Sequence, residues 1–280
     1  MKHGISGESF SVHSNSRGNL LKTEYSEGGV LHFVKTGRIH VRDFPENWGI
    51  EPIVEVICSR LGSAMGLDMA SQKLDVLNVV RYGKRITTLI SDSSDFRAGR
   101  TIVYLQTLYI QNGEYIDFER LCRYVGGDEL INMLAFDLVV MNEDRHNGNV
   151  AWLSDDDGKM TLAPIYDNGY SLLYDDIKGM LRDYRRAASF CLCNAPLYRE
   201  SFSAAEKLFA QMADRYEPTI RLDIGADIVR EILRGVRNEY ERLRGGVNNI
   251  ALPDEWWDAA AEFICWRTEH VRALRYNMER

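Results

Sequence analysis

The chain has 280 residues, of which 45% are hydrophobic and 27% are charged, which is the usage of an ordinary globular protein. A chain of this length buries a core without disulfides or structural metal, so a disordered protein, a fibre and a disulfide-stapled miniprotein are excluded. The formal net charge of −7 argues against binding nucleic acid or an anionic membrane through the charge of the whole chain. We therefore expect no direct nucleic-acid binding.

The cysteines and the hydropathy pattern indicate a cytoplasmic protein. The chain has five cysteines, an odd number, and no Cys-x-x-Cys pair, which favours free thiols in a reducing compartment. The N-terminal segment lacks the apolar stretch of a signal peptide, and no run of about 20 apolar residues could span a bilayer. We therefore expect a cytoplasmic protein that does not associate with a membrane.

The first third of the chain predicts a small sheet with one helix. A Gly-Gly pair followed by the strand-like run Val30–Lys35 predicts a hairpin. Apolar side chains then recur at helical spacing over Glu51–Met65, and strand-like sequence returns over residues 72–110. The predicted order is β-β-α-β-β, and it defines an N-terminal lobe of residues 1–110.

The remaining residues, 111–280, predict a larger and mainly helical C-terminal lobe. Apolar spacing predicts five helices, over Ile116–Tyr124, Asp128–Met141, Ala204–Tyr216, Ile228–Leu243 and Glu255–Met278. Between the second and the third lies a non-helical stretch with two strand-like runs, Asn149–Leu153 and Met160–Ile165. Three basic residues further on are predicted to form a solvated turn: Arg182, Arg185 and Arg186. The alternative is that they bind an acidic substrate or a phosphorylated loop.

Polar residues that could carry chemistry concentrate in the non-helical stretch. Asp144 and Asn149 have the spacing Asp-x4-Asn, and Asp167 follows in an Asp-x-Gly sequence. A hairpin between them would bring these residues together. One carboxylate can deprotonate an acceptor hydroxyl, while an amide oxygen and a second carboxylate hold Mg²⁺ against nucleotide phosphates. The spacing is that of the protein-kinase catalytic loop, so we predict phosphoryl transfer, with His146 as a packing element of the loop.

The segment FDLVVMNEDRHNGNVAWL, followed by LAPIYDNGYSL, resembles the HipA-like family of bacterial serine/threonine kinases. The resemblance covers most of the chain, about residues 5–245. It implies an α+β protein with an atypical two-lobed protein-kinase fold. It further implies that Asp144 is the catalytic base, that Asn149 and Asp167 are the magnesium ligands, and that ATP and Mg²⁺ are the cofactors.

A kinase also needs a cation at the nucleotide phosphates and a carboxylate that holds this cation. Lys35 ends the strand-like run HFVK and resembles the nucleotide-binding lysine of the family. Glu55 on the following helix is its predicted partner, with Glu51 as the alternative. The segment ISGESF has the position of the family's glycine-serine loop, which implies that three of its residues bind phosphate: Ser6, Gly7 and Ser9. Autophosphorylation of a serine in this loop is a further implication.

The resemblance also implies a protein substrate that is phosphorylated on serine or threonine. Family proteins usually have an additional N-terminal domain, for which we expect no room here, and many are toxins paired with a DNA-binding antitoxin. Either a small antitoxin-like partner protein supplies the missing part or the kinase works alone. Two alternatives stay open: a lipid or small-molecule kinase that uses the same residues, and a nucleotide-binding pseudokinase.

Overall fold

The computed structural model describes residues 20–41, 44–81, 84–112, 117–125, 127–193, 195–198 and 201–276. The predicted phosphate loop with Ser6, Gly7 and Ser9 lies outside these residues. The strands are β1 (Lys22–Glu27), β2 (Val30–Thr36), β3 (Ile39–Val41), β4 (Phe44–Trp48), β5 (Lys73–Arg81), β6 (Lys84–Ser94), β7 (Thr101–Tyr104), β8 (Ala151–Ser154) and β9 (Met160–Leu162). The helices are α1 (Glu51–Ala64), α2 (Leu105–Asn112), α3 (Phe118–Val125), α4 (Gly127–Val140), α5 (Ile177–Ser189), α6 (Phe202–Ala213), α7 (Ala226–Leu243) and α8 (Asp254–Tyr276).

A four-stranded antiparallel sheet, in the order β1-β2-β6-β5, forms the core of the first lobe. Strands β1 and β2 form the predicted hairpin, and the turn consists of Gly28 and Gly29 with φ of +58° and +83°. Glycine adopts positive φ without the steric cost that a Cβ imposes. The resulting register places Lys22 opposite Lys35, so both side chains emerge on the same face of the sheet.

Helix α1 follows the first strands and precedes β5, as the sequence predicts, and it is almost entirely buried. It packs against β5, β6 and α7. Its buried residues include two carboxylates, Glu51 and Glu55. Because a buried charge is costly unless it is compensated, these two side chains need partners close by.

The C-terminal half contains the five predicted helices, observed as α3, α4, α6, α7 and α8 with ends that differ by a few residues. Helix α8 is the longest helix described, and it packs against α4, α5, α6 and α7. Among the helices of the described ranges, none is long and apolar enough to cross a membrane. The α+β fold with a small sheet-based lobe and a larger helical lobe is therefore confirmed.

Three segments differ from the sequence prediction. Strands β3 and β4, which pair antiparallel between the predicted hairpin and α1, were not predicted. Residues 105–110, the end of the stretch predicted as strand-like, instead belong to α2, where Leu105 is buried and Leu108 and Tyr109 pack against the core at helical spacing. The predicted basic turn is instead part of α5, which begins after its N-cap Asp176 and bends at Asp183. A short helix with few apolar positions gives too weak a periodicity to be separated from a turn.

A three-stranded antiparallel sheet, β7-β8-β9, places the loop of residues 141–149 against the first lobe. Strand β8 follows the loop that contains Asp144 and Asn149, and its partner β7 comes from the region before residue 110. A lobe boundary at residue 110 stays a prediction, because strands from both sides of it pair in this sheet. The pairing fixes the position of the loop relative to the end of β6.

Candidate active site

A cavity of about 450 Å³ is lined by residues of the four-stranded sheet, of the three-stranded sheet and of the loop that contains Asp144 and Asn149. Its apolar lining includes Phe33, Phe96, Ile102 and Tyr166, and its polar lining includes Lys22, Lys35, Asn149 and Asp167. An apolar surface for a flat ring beside a few charged groups is the composition that binds a small charged ligand such as a nucleotide. The cavity thus brings together three of the residues that the sequence predicts for the site.

Asp167 lies between two ammonium groups. Its Oδ1 is 3.0 Å from Nζ of Lys35, and its Oδ2 is 3.5 Å from Nζ of Lys22. Burial alone would raise the pKa of Asp167, but the attraction of Lys35 and Lys22 outweighs it and holds the pKa well below its usual range. Asp167 also has a φ of +58°, a strained conformation for a residue with a Cβ. The carboxylate is therefore ionised and held toward the cavity.

The predicted pairing of Lys35 with Glu55 is replaced by the pairing with Asp167: no described ion pair joins Lys35 to Glu55. Glu55 instead accepts the backbone N–H of Asn168 and lies 3.5 Å from Nε2 of Gln72. Burial raises the pKa of Glu55, and Lys35 opposes this shift through space. Glu55 therefore holds the loop that carries Asp167 and contributes to the field around Lys35.

Asp144 lies in a tight loop that is held by hydrogen bonds to its backbone N–H and carbonyl groups. Its N–H donates to Oδ1 of Asn142 at 3.0 Å, and its carbonyl oxygen accepts the N–H of His146 at 2.8 Å and Nδ2 of Asn149 at 2.9 Å. Burial raises the pKa of the Asp144 carboxyl, and the repulsion of Asp167 acts in the same direction. The side chain stays partly exposed, and its Oδ2 lies 3.9 Å from Nε2 of His146.

Asn149 presents its amide oxygen because its amide nitrogen is already used. Nδ2 donates to the carbonyl of Asp144, and no hydrogen bond to Oδ1 occurs among the described residues. His146 packs within the loop, as predicted: its Nδ1 accepts the N–H of Gly148 at 3.0 Å. Oxygen atoms of Asn149 and Asp167 thus line the same cavity, and they are of the type that Mg²⁺ prefers.

Arg145 connects three segments of the site through its buried hydrogen bonds. The guanidinium is fully buried and donates to five oxygen atoms at 2.6 to 3.0 Å: both carboxylate oxygens of Asp137 on α4, the carbonyls of Asn149 and Tyr166, and Oδ1 of Asn168. All five donors of an arginine are therefore used. Arg145 therefore connects the loop of Asp144 and Asn149 to the loop of Asp167.

Sequence reasoning missed two of these residues, Lys22 and Arg145. Lys22 could have been found by counting back from the Gly28-Gly29 turn, since a two-residue hairpin places residue 22 opposite residue 35. Arg145 lies in the Asp-Arg-His sequence that contains the first residue of the Asp-x4-Asn spacing. No signal in the neighbouring sequence indicates that its side chain contacts Asp137, Tyr166 and Asn168. Its role follows only from the folded arrangement.

A second buried cluster surrounds Glu51 at the start of α1. Its Oε2 accepts the N–H of Arg38 at 3.0 Å, and its Oε1 lies 3.8 Å from Nε of Arg38. Arg38 in turn pairs with Asp175 at 3.2 Å and lies over the ring of Tyr174. Burial raises the pKa of Glu51 to about 7, although Arg38 opposes the shift. The cluster ties the end of β2 to the segment that follows Asp167.

The elevated pKa of Glu51 predicts a pH-dependent stability. In the folded protein the pKa of Glu51 lies above its ordinary value of 4.5. Glu51 therefore contributes to the free energy of unfolding below pH 4.5, and this contribution is lost as the pH rises to about 7. The loss attributable to Glu51 is on the order of 3 kcal/mol, at about 1.4 kcal/mol per pKa unit. We expect Glu51→Gln to remove this slope from the free energy of unfolding, measured with urea between pH 4.5 and 8. The exposed Glu231→Gln is the control, and a difference from wild type that is constant with pH would contradict the assignment.

Comparisons with solved structures show where this fold occurs. The chain is similar to the crystal structure of a Helicobacter pylori proinflammatory kinase, CtkA, with 13% identity, a TM-score of 0.59, and coverage of 91% of this chain and 93% of that one. It is also similar to HipA from Shewanella oneidensis MR-1, solved with HipB and operator DNA, with 16% identity and a TM-score of 0.50. That match covers 92% of this chain and 66% of HipA. The fold is therefore kinase-like.

A comparison with curated proteins found no match. The family model described as the HipA-like C-terminal domain matches residues 10–241, which is most of the chain and includes every described residue of the candidate site. The match agrees with the resemblance of the catalytic loop and of the Asp-x-Gly segment. The chain belongs to the HipA-like C-terminal domain family.

Proposed function

We propose that the protein transfers the γ-phosphate of ATP, with Mg²⁺, to serine or threonine of a protein substrate. One observation carries the proposal: Lys35, Asn149 and Asp167 line one cavity, and Asp144 is hydrogen-bonded to Asn149 at its edge. These are the groups that phosphoryl transfer requires, namely a cation for the phosphates, oxygen ligands for a metal and a base. Membership of the family and the similarity to a kinase support a kinase function.

The residues around Asp167 fit a magnesium ion. An ionised carboxylate and an amide oxygen are hard ligands, and Mg²⁺ in nucleotide sites takes only one or two carboxylates beside waters and phosphate oxygens. Bound there, Mg²⁺ would neutralise charge on the transferred phosphoryl group. Lys35 and Lys22 share the Asp167 carboxylate, and they would be available to the nucleotide phosphates if that carboxylate held Mg²⁺.

Asp144 is proposed to orient the acceptor hydroxyl and to take its proton. Its carboxyl forms no ion pair with Lys35 or Lys22 among the described residues, and its Oδ2 lies 3.9 Å from Nε2 of His146. Its raised pKa makes it a stronger base than an ordinary aspartate. The backbone contacts with His146 and Asn149 hold it in place.

Lys22 is expected to assist Lys35 in binding the phosphates. We expect Lys22→Met to raise KM for ATP about tenfold, because one of two cations is lost, and Lys35→Met to lower kcat as well. Steady-state kinetics at saturating Mg²⁺ measures both. Lys207→Met on α6 is the control for loss of a lysine, and an unchanged KM for ATP in Lys22→Met would refute a role for this residue.

The test of the proposed function is the chemical nature of the product. Purified protein is incubated with γ-labelled ATP, Mg²⁺ and a bacterial lysate, and labelled protein is hydrolysed for phosphoamino-acid analysis. We expect phosphoserine or phosphothreonine that depends on Mg²⁺. Label in lipid or small molecules only would favour a lipid or small-molecule kinase, and nucleotide binding without any transfer would favour a pseudokinase.

A partner protein is also proposed. The Shewanella oneidensis structure contains HipA together with HipB and operator DNA. By this similarity we propose a small antitoxin-like partner protein for this chain, and a cytoplasmic location stays a prediction. Phosphorylation of the chain itself on a serine of the N-terminal loop is part of the same proposal and would appear in intact-mass measurements after incubation with Mg-ATP.

A further inference from the structure

Helix α5 carries a basic groove of about 300 Å³ on its exposed side. Lys178, Arg182, Arg186 and Phe190 all line it. These residues are four positions apart, which places them along one face of a helix, and the bend at Asp183 does not remove any of them from the groove. Three cationic side chains thus follow one another along the groove, and an aromatic ring lies at its end.

Two carboxylates, Asp176 and Asp183, also line the groove. Asp176 accepts the N–H of Gly179, and Asp183 accepts the N–H of Arg186, so both cap a segment of the helix backbone. The side chains of Arg182 and Arg186 are exposed. Among the residues that line the groove, the three cationic side chains outnumber the two carboxylates, although the whole chain has a formal net charge of −7.

The groove ends beside the catalytic loop. Phe190 and Leu192 are 72% and 78% exposed, the largest values for large apolar side chains in the described part of the chain. Between them, Sγ of Cys191 donates to Oε1 of Glu143 at 3.0 Å. Glu143 precedes Asp144, so this contact holds the apolar end of the groove next to the proposed catalytic base.

We propose that this groove binds an acidic segment of the protein substrate and thereby directs its serine or threonine to Asp144. Carboxylates of the substrate pair with Arg182 and Arg186, and an apolar residue of the substrate contacts Phe190. Charge complementarity selects an acidic ligand, and the exposed apolar end favours a polypeptide over a nucleic acid. The inference rests on the proposed function, since it takes the acceptor to be a protein.

The test measures binding, so that it does not depend on catalysis. Two fluorescein-labelled peptides of equal length are compared by anisotropy: one has a serine and a phenylalanine among glutamates, and the other has lysines in place of the glutamates. We expect wild type to bind the glutamate peptide at least about tenfold more tightly at low salt, with the preference weakening as salt is added. The double variant Arg182→Glu/Arg186→Glu should lose this preference.

The matched control is Arg230→Glu/Arg234→Glu on the exposed side of α7, which makes the same change in net charge. It should bind the glutamate peptide as wild type does. Equal binding of the two peptides, or an equal loss in the control, would overturn the proposal. A single-stranded oligonucleotide that binds the same groove as tightly would also overturn it, by showing a general polyanion site. ATP consumption with Mg²⁺, measured in parallel, reports separately on the proposed function.

Discussion

Replacing Asp144 by asparagine is expected to lower kcat for phosphoryl transfer by about two to four orders of magnitude. The amide cannot take the proton of the acceptor hydroxyl. The fold should survive, because the described hydrogen bonds of Asp144 to Asn142, His146 and Asn149 all use its backbone atoms. Single-turnover transfer from labelled ATP measures the loss, and circular dichroism against temperature measures Tm.

The control for this variant is Asp156→Asn, in the exposed turn between β8 and β9. It removes the same charge from the chain and should leave both kcat and Tm unchanged. Near-wild-type transfer by Asp144→Asn would show that another group accepts the proton. A large fall in Tm would instead show that its side chain is structural.

The second large effect is expected at Arg145. Arg145→Met should lower the free energy of unfolding by about 3–5 kcal/mol, since it leaves the Asp137 carboxylate buried without its cation. It should also abolish transfer, because the loops that carry Asn149 and Asp167 lose their common support. Urea denaturation and the transfer assay measure the two effects.

The double variant Arg145→Met/Asp137→Asn separates the effect of the unpaired Asp137 carboxylate from the effect of the unsupported loops. Removing the unpaired charge should restore part of the stability, whereas transfer should stay low because the loops are still unsupported. Arg230→Met, at a surface pair with Asp227, is the control and should cost less than about 1 kcal/mol. A loss in Arg145→Met no larger than this would contradict the structural role of the buried ion pair.

Local sequence signals were sufficient for most of the elements and pointed to several residues of the candidate site. The Gly28-Gly29 turn, the helical spacing over α1 and the apolar periodicity of the later helices each predicted an element that is observed. The Asp-x4-Asn spacing and the Asp-x-Gly sequence pointed to residues that now lie around one cavity. These signals succeed because each depends on neighbours in the chain.

Contacts between distant residues could not be predicted in this way. The partner of Lys35 is Asp167 rather than Glu55, because the loop after β9 brings Asp167 closer to the ammonium than α1 brings Glu55. The partners of Arg145 on α4 and the contact of Arg38 with Asp175 depend likewise on how separate segments pack. Helix α5 was missed since its few buried positions give little periodicity.

The account depends most on Asp167 as the site where magnesium and nucleotide meet. Calorimetric titration with a non-hydrolysable ATP analogue, with and without Mg²⁺, tests this in wild type, Asn149→Ala and Asp167→Ala. We predict that Mg²⁺ tightens binding in wild type, does so less in Asn149→Ala, and has no effect in Asp167→Ala, because a carboxylate offers the cation a full charge and an amide only a dipole. A wild-type dependence on Mg²⁺ in Asp167→Ala would contradict the account.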